Sequence, residues 1–267
     1  MSPRSSKKSP ASEKTRISYV QLGKLLNAAI AKRIPSNEKF GIAFSGGLDS
    51  GLLAFCTRKL SKKAILLTVG TKGSPDLVRA APLVKKWKMK WAKKELSHGM
   101  IAESYALAGK ILKKKDHLQQ TLGAVDIAIA QLAKEEGIYT LFVGSGADEL
   151  FCGYGAFDSC RGNEKKCERL RAEKMKNIHA HDVKREEMCA AHFGISIHAP
   201  YLDEAFAAEA LRVPALYNLE GKYGKWRKNA LRMLAEKAGA PREIVTAPKK
   251  AMQYGSGTQK ALEKITQ

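Results

Sequence analysis

Six consecutive residues, Ser45-Gly46-Gly47-Leu48-Asp49-Ser50, are of the types that phosphate chemistry needs. They follow an apolar run, Phe40-Gly41-Ile42-Ala43-Phe44, and precede Leu52, Leu53 and Phe55, so they read as the turn between a buried strand and a helix. Two glycines let the backbone come close to an anion with no Cβ in the way. The hydroxyls of Ser45 and Ser50, with main-chain N–H groups at the helix N-terminus, can donate to phosphate oxygens. Asp49 would repel a phosphate, and its presence makes sense if it binds Mg²⁺. The loop is not a Walker A sequence, since it lacks Gly-Lys-Ser/Thr, and no G-x-G-x-x-G follows a strand. A plain turn with an N-cap serine is the simpler account, and the position at a strand–helix junction argues against it. A second loop, Gly144-Ser145-Gly146-Ala147-Asp148-Glu149-Leu150-Phe151-Cys152-Gly153-Tyr154, again puts glycines and an acidic pair after an apolar run, Tyr139–Val143. If both loops line one cleft, Asp49 and Asp148 supply two carboxylates for a metal that bridges phosphates.

Such loops need a scaffold that brings strand ends together. Besides Phe40–Phe44 and Tyr139–Val143, strands are expected at Ala64–Val69 and Trp91–Leu96. Helices are expected from Ile17 to before Pro35, with Val20, Leu22, Leu25, Leu26, Ala29 and Ile30 as its apolar face, after the first loop, from Asp76 to Met89 with a disturbance at Pro82, from Gly99 to Leu112 and around Ala124–Lys134. Strands alternating with helices imply an α/β fold, a parallel doubly wound sheet with helices on both faces, and ligands at its carboxyl edge. After Gly155 the strand signals fade, and polar helical segments run over Asp158–His192, Glu204–Leu211 and Lys225–Lys237. The expected organisation is a disordered basic tail over 1–16 and one domain over 17–267. Within that domain, 17–155 is the α/β nucleotide-binding part and 156–267 a mainly helical C-terminal subdomain.

Composition narrows the class. The 267 residues have 44% hydrophobic and 27% charged content, ordinary for a soluble globular protein, and no apolar run long enough to span a membrane. The N-terminus lacks the apolar core of a signal peptide, so a cytoplasmic location is expected. Cys56, Cys152, Cys160, Cys167 and Cys189 form no disulfide framework and no Cys-x-x-Cys pair, and read as reduced thiols that pack as small apolar groups. His98, His117, His179, His181 and His192 show no metal-ligand spacing. The net charge of +21 attracts polyanions, and charge alone does not choose among nucleotides, RNA and an acidic partner.

Taken together, Ser45–Ser50 and Gly144–Tyr154 resemble the synthetase domain of the asparagine synthetase family, within the PP-loop ATP pyrophosphatases of HUP-like fold. Three later segments strengthen the resemblance. Arg185 to Asp203, ending Gly194-Ile195-Ser196-Ile197-His198-Ala199-Pro200-Tyr201-Leu202-Asp203, is similar to the family's R-D-D…G-x-x-x-R-x-P-F-L-D; Lys228-Asn229-Ala230-Leu231-Arg232 matches K-x-x-L-R; and Pro248–Gly257 resembles the tail of archaeal members. The resemblance implies an AMP-forming reaction with ATP and Mg²⁺ as cofactors. A carboxylate, normally aspartate, is adenylated with release of pyrophosphate, and ammonia then displaces AMP to give an amide. Carried onto this sequence, Asp49 and Asp148 would hold Mg²⁺, and Ser45, Gly46, Gly47 and Ser50 would hold pyrophosphate. Phe44, Val69, Val143 and Gly144 would contact the nucleoside. Lys228, with Asp148 and Glu149, makes up the implied catalytic set, Lys228 neutralising charge that develops on the phosphates.

Departures from the pattern fall on the acceptor side. The family commonly reads Gly-Glu-Gly-Ser-Asp-Glu, and Ser145 stands where that glutamate would accept a proton. His198 stands at the usual arginine, Arg185-Glu186-Glu187 replaces Arg-Asp-Asp, and Thr121–Ala124 carries no Arg-Ala-Ser-Thr element. The glutaminase half of the family is missing from this sequence, so free ammonia, another amine or a separate glutaminase subunit is expected to supply nitrogen. Two alternatives remain beside the ligase: a tRNA-modifying enzyme that adenylates a base, with RNA as the less favoured partner, and a catalytically degenerate nucleotide-binding protein. No membrane partner is expected, and the sequence gives no oligomeric state.

Overall fold

The computed structural model describes residues 17–113 and 116–265; the tail expected over 1–16 lies outside them. Helix α1 (Tyr19–Ala31) opens at Ser18, whose Oγ caps the Gln21 N–H, and buries Leu22, Leu26, Ala29 and Ile30 at helical spacing. An alternating run follows: β1 (Phe40–Ala43), α2 (Leu48–Leu60), β2 (Ala64–Gly70), α3 (Pro75–Trp87), β3 (Lys90–Glu95), α4 (His98–Leu112), α5 (His117–Glu135) and β4 (Thr140–Phe142). The short α6 (Ala147–Leu150) leads to α7 (Glu164–Ile178), which continues through a π-helical turn, His179–Val183, into α8 (Lys184–Ala191). Then come β5 (Ser196–His198), α9 (Glu204–Leu211), α10 (Asn229–Lys237), α11 (Arg242–Val245), α12 (Met252–Gly255) and α13 (Thr258–Ile265).

The five strands pair in parallel in the order β3-β2-β1-β4-β5. The chain adds strands outward from β1 to one edge, then returns to lay β4 on the other side of β1. This reversal opens a crevice between the carboxyl ends of β1 and β4, the place where open parallel sheets bind ligands. Strand β2 is buried along its whole length and feeds both faces. Ala64 and Leu66 join a core with α1, α2 and α10, while Ile65, Leu67 and Val69 join a second core with α5 and α13. The two-residue period of a strand divides its side chains in this way, and the result is the parallel, doubly wound α/β sheet expected from the sequence.

Three local expectations are corrected. Pro82 does not end α3, which runs on from Pro75 to Trp87 with Pro82 on the solvent face and Ala80, Leu83, Val84 and Trp87 in the core. Val20, counted on the apolar face of α1, is 70% exposed. Strand β5 arises between the expected helical segments Asp158–His192 and Glu204–Leu211, where no strand was expected, and pairs Ser196, Ile197 and His198 with Thr140, Leu141 and Phe142. No helix among the described residues is long and apolar enough to cross a membrane.

Candidate active site

The first loop begins where β1 leaves the core. Phe44 is still buried, with its N–H donating to the Leu67 carbonyl at 2.8 Å. The chain then turns within the next three residues into α2, with Gly47 as N-cap. The turn is closed by its own serines: the Ser45 N–H donates to Ser50 Oγ at 3.1 Å, and the two hydroxyl oxygens lie 3.0 Å apart. Gly46 has φ +68°, and a Cβ there would stand 2.9 Å from the main-chain carbon of Arg79 in α3. Its need for glycine therefore comes from packing against α3 as well as from any anion.

The second loop lies directly against the first. A Cβ added to Gly144 would meet Asp49 Cβ at 3.3 Å, so the ends of β1 and β4 converge at Asp49. Buried Tyr201, just beyond β5, fixes the main chain there by donating its hydroxyl to the Asp49 carbonyl at 2.8 Å. Asp148 and Glu149 lie in α6, whose N-cap Gly146 has φ +93°.

Lys228 joins the two loops. Its Nζ lies 2.7 Å from each carboxylate oxygen of Asp49 and 2.8 Å from Asp148 Oδ1, with the side chain 2% exposed. The lysine sits at the N-cap of α10 in a left-handed conformation (φ 54°), directly after Arg227 (φ 60°). Two successive non-glycine residues in that region are costly and persist only when the surroundings fix them. Here Arg232 does so: its guanidinium donates to the carbonyls of Arg227, Trp226, Val245 and Ala247. Gly153 keeps the space open, since a Cβ there would overlap both Asp148 Oδ1 and Lys228 Cε.

A second cation, Lys249, was not among the residues singled out in the sequence. Its ammonium pairs with Asp148 Oδ2 and lies 4.0 Å from Asp49 Oδ2. Burial would raise the Asp148 pKa, but Lys228 and Lys249 outweigh it and hold the carboxyl well below its ordinary range. Burial would likewise discharge Lys249, and the charges of Asp148 and Asp49 keep its pKa raised instead. Glu149 is 3% exposed and accepts the Tyr154 hydroxyl; burial, then the neighbouring Asp148 charge, pushes it up to about 7.

The carboxylates and Lys249 face one cavity of about 480 Å³, within the range of small-molecule sites. Of the residues expected at the site, Phe44, Ser45, Asp49, Ser50, Val69, Val143, Gly144, Asp148 and Glu149 line it. Gly46, Gly47 and Lys228 do not; Lys228 meets it through the carboxylates it holds. Away from the lysines, α5 contributes Asp126, the π-helical turn Asp182, and α8 Arg185 and Glu186. The buried Arg185 guanidinium is spent on Asp126 at 2.7 Å, Asp182 at 2.5 Å and Gln119 at 3.1 Å. Asp126 carried no signal in the sequence, and Glu186 stood out only as a departure from a motif. His198, expected on the acceptor side, does not line the cavity; its carbonyl accepts the Val143 N–H at 2.9 Å as part of the sheet. The five cysteines are free and buried, and the described residues hold no cluster of three or more His, Cys, Asp or Glu fit for a metal.

The asparagine synthase family model matches residues 21–174 and 159–267. Among curated proteins, the provisionally named asparagine synthetase 1 (glutamine-hydrolyzing) of Methanocaldococcus jannaschii is 29% identical over 91% of this chain and 50% of its own length. Human asparagine synthetase (glutamine-hydrolyzing) is 27% identical over 86% of this chain and 42% of its own length. The chain thus spans half or less of the length of these relatives. Among solved structures, the NH3-dependent NAD synthetase of Campylobacter jejuni superposes with a TM-score of 0.41 at 15% identity, over 67% of this chain and 97% of that one. That likeness is too loose to bear on function.

Proposed function

The chain belongs to the asparagine synthase family, and from that premise we propose that it is an ATP-dependent, amide-forming ligase that releases AMP and pyrophosphate. One observation carries the reading: Asp49 and Asp148, from separate loops at the crevice between β1 and β4, share the buried ammonium of Lys228 beside the Ser45–Ser50 turn. Acid and base at a strand-end crevice suit the splitting of a polyphosphate, where charge must be held on both sides of the transferred group.

The residues present fit Mg²⁺. That ion is commonly bound by one or two carboxylates plus substrate phosphates, and Asp49 and Asp148 make such a pair. Asp148 Oδ1 is buried and finds no hydrogen-bond donor among the described residues, its contact with Lys228 being an ion pair outside hydrogen-bond geometry. When bound, the ion would neutralise phosphate charge. The chain's own part is to bind and orient: Ser45, Gly46, Gly47 and Ser50 hold the pyrophosphate end, and Phe44, Val69, Val143 and Gly144 take the nucleoside. Lys228 and Lys249 are the cations that receive the leaving pyrophosphate. Aspartate is the first carboxylate to test and ammonia the first nucleophile, from solution or from a separate glutaminase.

A screen of Mg-ATP with each amino acid and amine, reading AMP and pyrophosphate together, tests this. Carboxylate-dependent exchange of labelled pyrophosphate into ATP is the expected result. AMP formation that no carboxylate stimulates overturns the ligase. Turnover that instead depends on added tRNA would favour the RNA-modifying alternative, which rests on the +21 charge.

A further inference from the structure

Among the described residues, seven carboxyl groups line the cavity; five are paired closely with cations, and the other two, Glu149 and Glu186, accept side-chain hydrogen bonds from hydroxyls. Asp49 and Asp148 share Lys228 and Lys249, and Asp76 pairs with Arg79. Asp126 and Asp182 hold Arg185, and Glu149 accepts the Tyr154 hydroxyl. The seventh is Glu186, which α8 carries into the cavity wall and which is 9% exposed, against 3% for Glu149. The donor bonded to it is neutral: Ser145 Oγ lies 2.7 Å from both Oε1 and Oε2, and a hydroxyl has one proton to give. Arg185 stands off, its nearest nitrogen 3.6 Å from Glu186 Oε1. One carboxylate oxygen is therefore left to accept a proton from whatever occupies the cavity. Ser145 directly follows Gly144, where an added Cβ would meet Asp49, so this oxygen lies beside the loops that hold the nucleotide in the proposed function.

We propose that Glu186 is the catalytic residue that takes the proton from the attacking nitrogen, with Ser145 as its positioning residue. The assignment rests on the ligase reading. In that step the lone pair of ammonia or a primary amine forms the C–N bond to the acyl carbon. The bond from that carbon to the adenylate oxygen breaks, and AMP leaves with the electron pair. The proton that the new amide nitrogen must shed passes to Glu186. The groups around Glu186 suit the task. Burial, then the charge of Asp126 on α5, pushes its pKa up to about 8, and Asp182 on the preceding turn acts in the same sense. Arg185 and the Ser145 hydroxyl pull the other way. A base poised near the working pH is the effective one.

The test compares the parent chain with E186Q and S145A, using Mg-ATP, L-aspartate and ammonium chloride. Pyrophosphate exchange reads adenylation, and amide release reads nitrogen attack. E186Q is expected to lose amide release by about 100-fold or more while exchange falls less than about tenfold. With the concentration of free ammonia held constant across the series, parent amide release should climb with pH, reach half its limit near 8 and level off above it; E186Q should lack that limb. In S145A the limb should move to higher pH, because the donor that lowers the Glu186 pKa is gone. A merely structural role would lower the rate and leave the limb in place. Amide release in E186Q within about threefold of the parent, or both half-reactions lost equally with the fold intact by thermal melting, overturns the assignment. An unmoved limb in S145A overturns the part given to Ser145. A parent that exchanges no pyrophosphate overturns the ligase reading instead, a pattern distinct from the others.

Discussion

Lys228 shows how much of a site turns on one side chain held under strain. A lysine that is 2% exposed needs partners for its charge, and Asp49 and Asp148 supply them from two loops about a hundred residues apart. Replacing it by methionine keeps most of the volume and removes the charge. K228M is expected to lower ATP-dependent pyrophosphate release by about 10²–10³-fold, the usual cost of removing a preorganised electrostatic contact. The fold should survive, because Asp49 is partly solvated and Lys249 still pairs with Asp148. Turnover within about threefold of the parent would remove Lys228 from the site. The two aspartates were legible in the sequence because each sits in a glycine-rich loop after an apolar run. Lys249, Asp126 and Glu186 were not, since they arrive from distant segments and only the folded chain sets them in one cavity. Ser145 was legible as a missing carboxylate, and the fold shows a carboxylate brought to it from α8.

The four strands β1 to β4 could be read as elements because three of them are short apolar runs set off by turns, and β3 follows the same alternation. Strand β5 could not: it is three residues long, with one apolar side chain between Ser196 and His198, and exists through its pairing with β4. Pairing of that kind depends on tertiary context, which local pattern does not carry. The same limit applies to the first loop, where Gly46 looks in sequence like an anion contact alone. In the fold it is also the point where the loop meets α3. G46A adds a side chain in a left-handed conformation, costing about 1–2 kcal/mol, and presses a methyl group on the Arg79 backbone. Chemical unfolding should show a loss of about 2–3 kcal/mol overall, with weaker ATP turnover because the turn must shift. A variant within about 0.5 kcal/mol of the parent would mean that loop and α3 separate without cost.

At the scale of the whole molecule, the cavity's carboxyl groups tie stability to pH in two opposite senses. Asp148 has its folded pKa depressed below the ordinary 3.8, so its contribution is present above about pH 4 and is lost as pH falls through the depressed value. Protonation in that range adds to a charge already at +21, and self-repulsion then works in the same direction. Glu186 behaves in the reverse way. Its folded pKa near 8 lies above its ordinary 4.5, so between those values the folded state holds a proton that the unfolded state has released. Stability from this group is full below about pH 4.5 and declines as pH rises towards 8, at up to about 1.4 kcal/mol per pH unit. Glutamine has the shape of the protonated glutamate and does not titrate. E186Q should therefore match the parent in urea unfolding near pH 5 and become progressively more stable than it up to about pH 8. Every other titrating group is common to both chains, so the difference between their curves isolates this one. A constant difference across that range would mean that Glu186 ionises in the fold as freely as in water, and the closed environment assigned to it would be wrong.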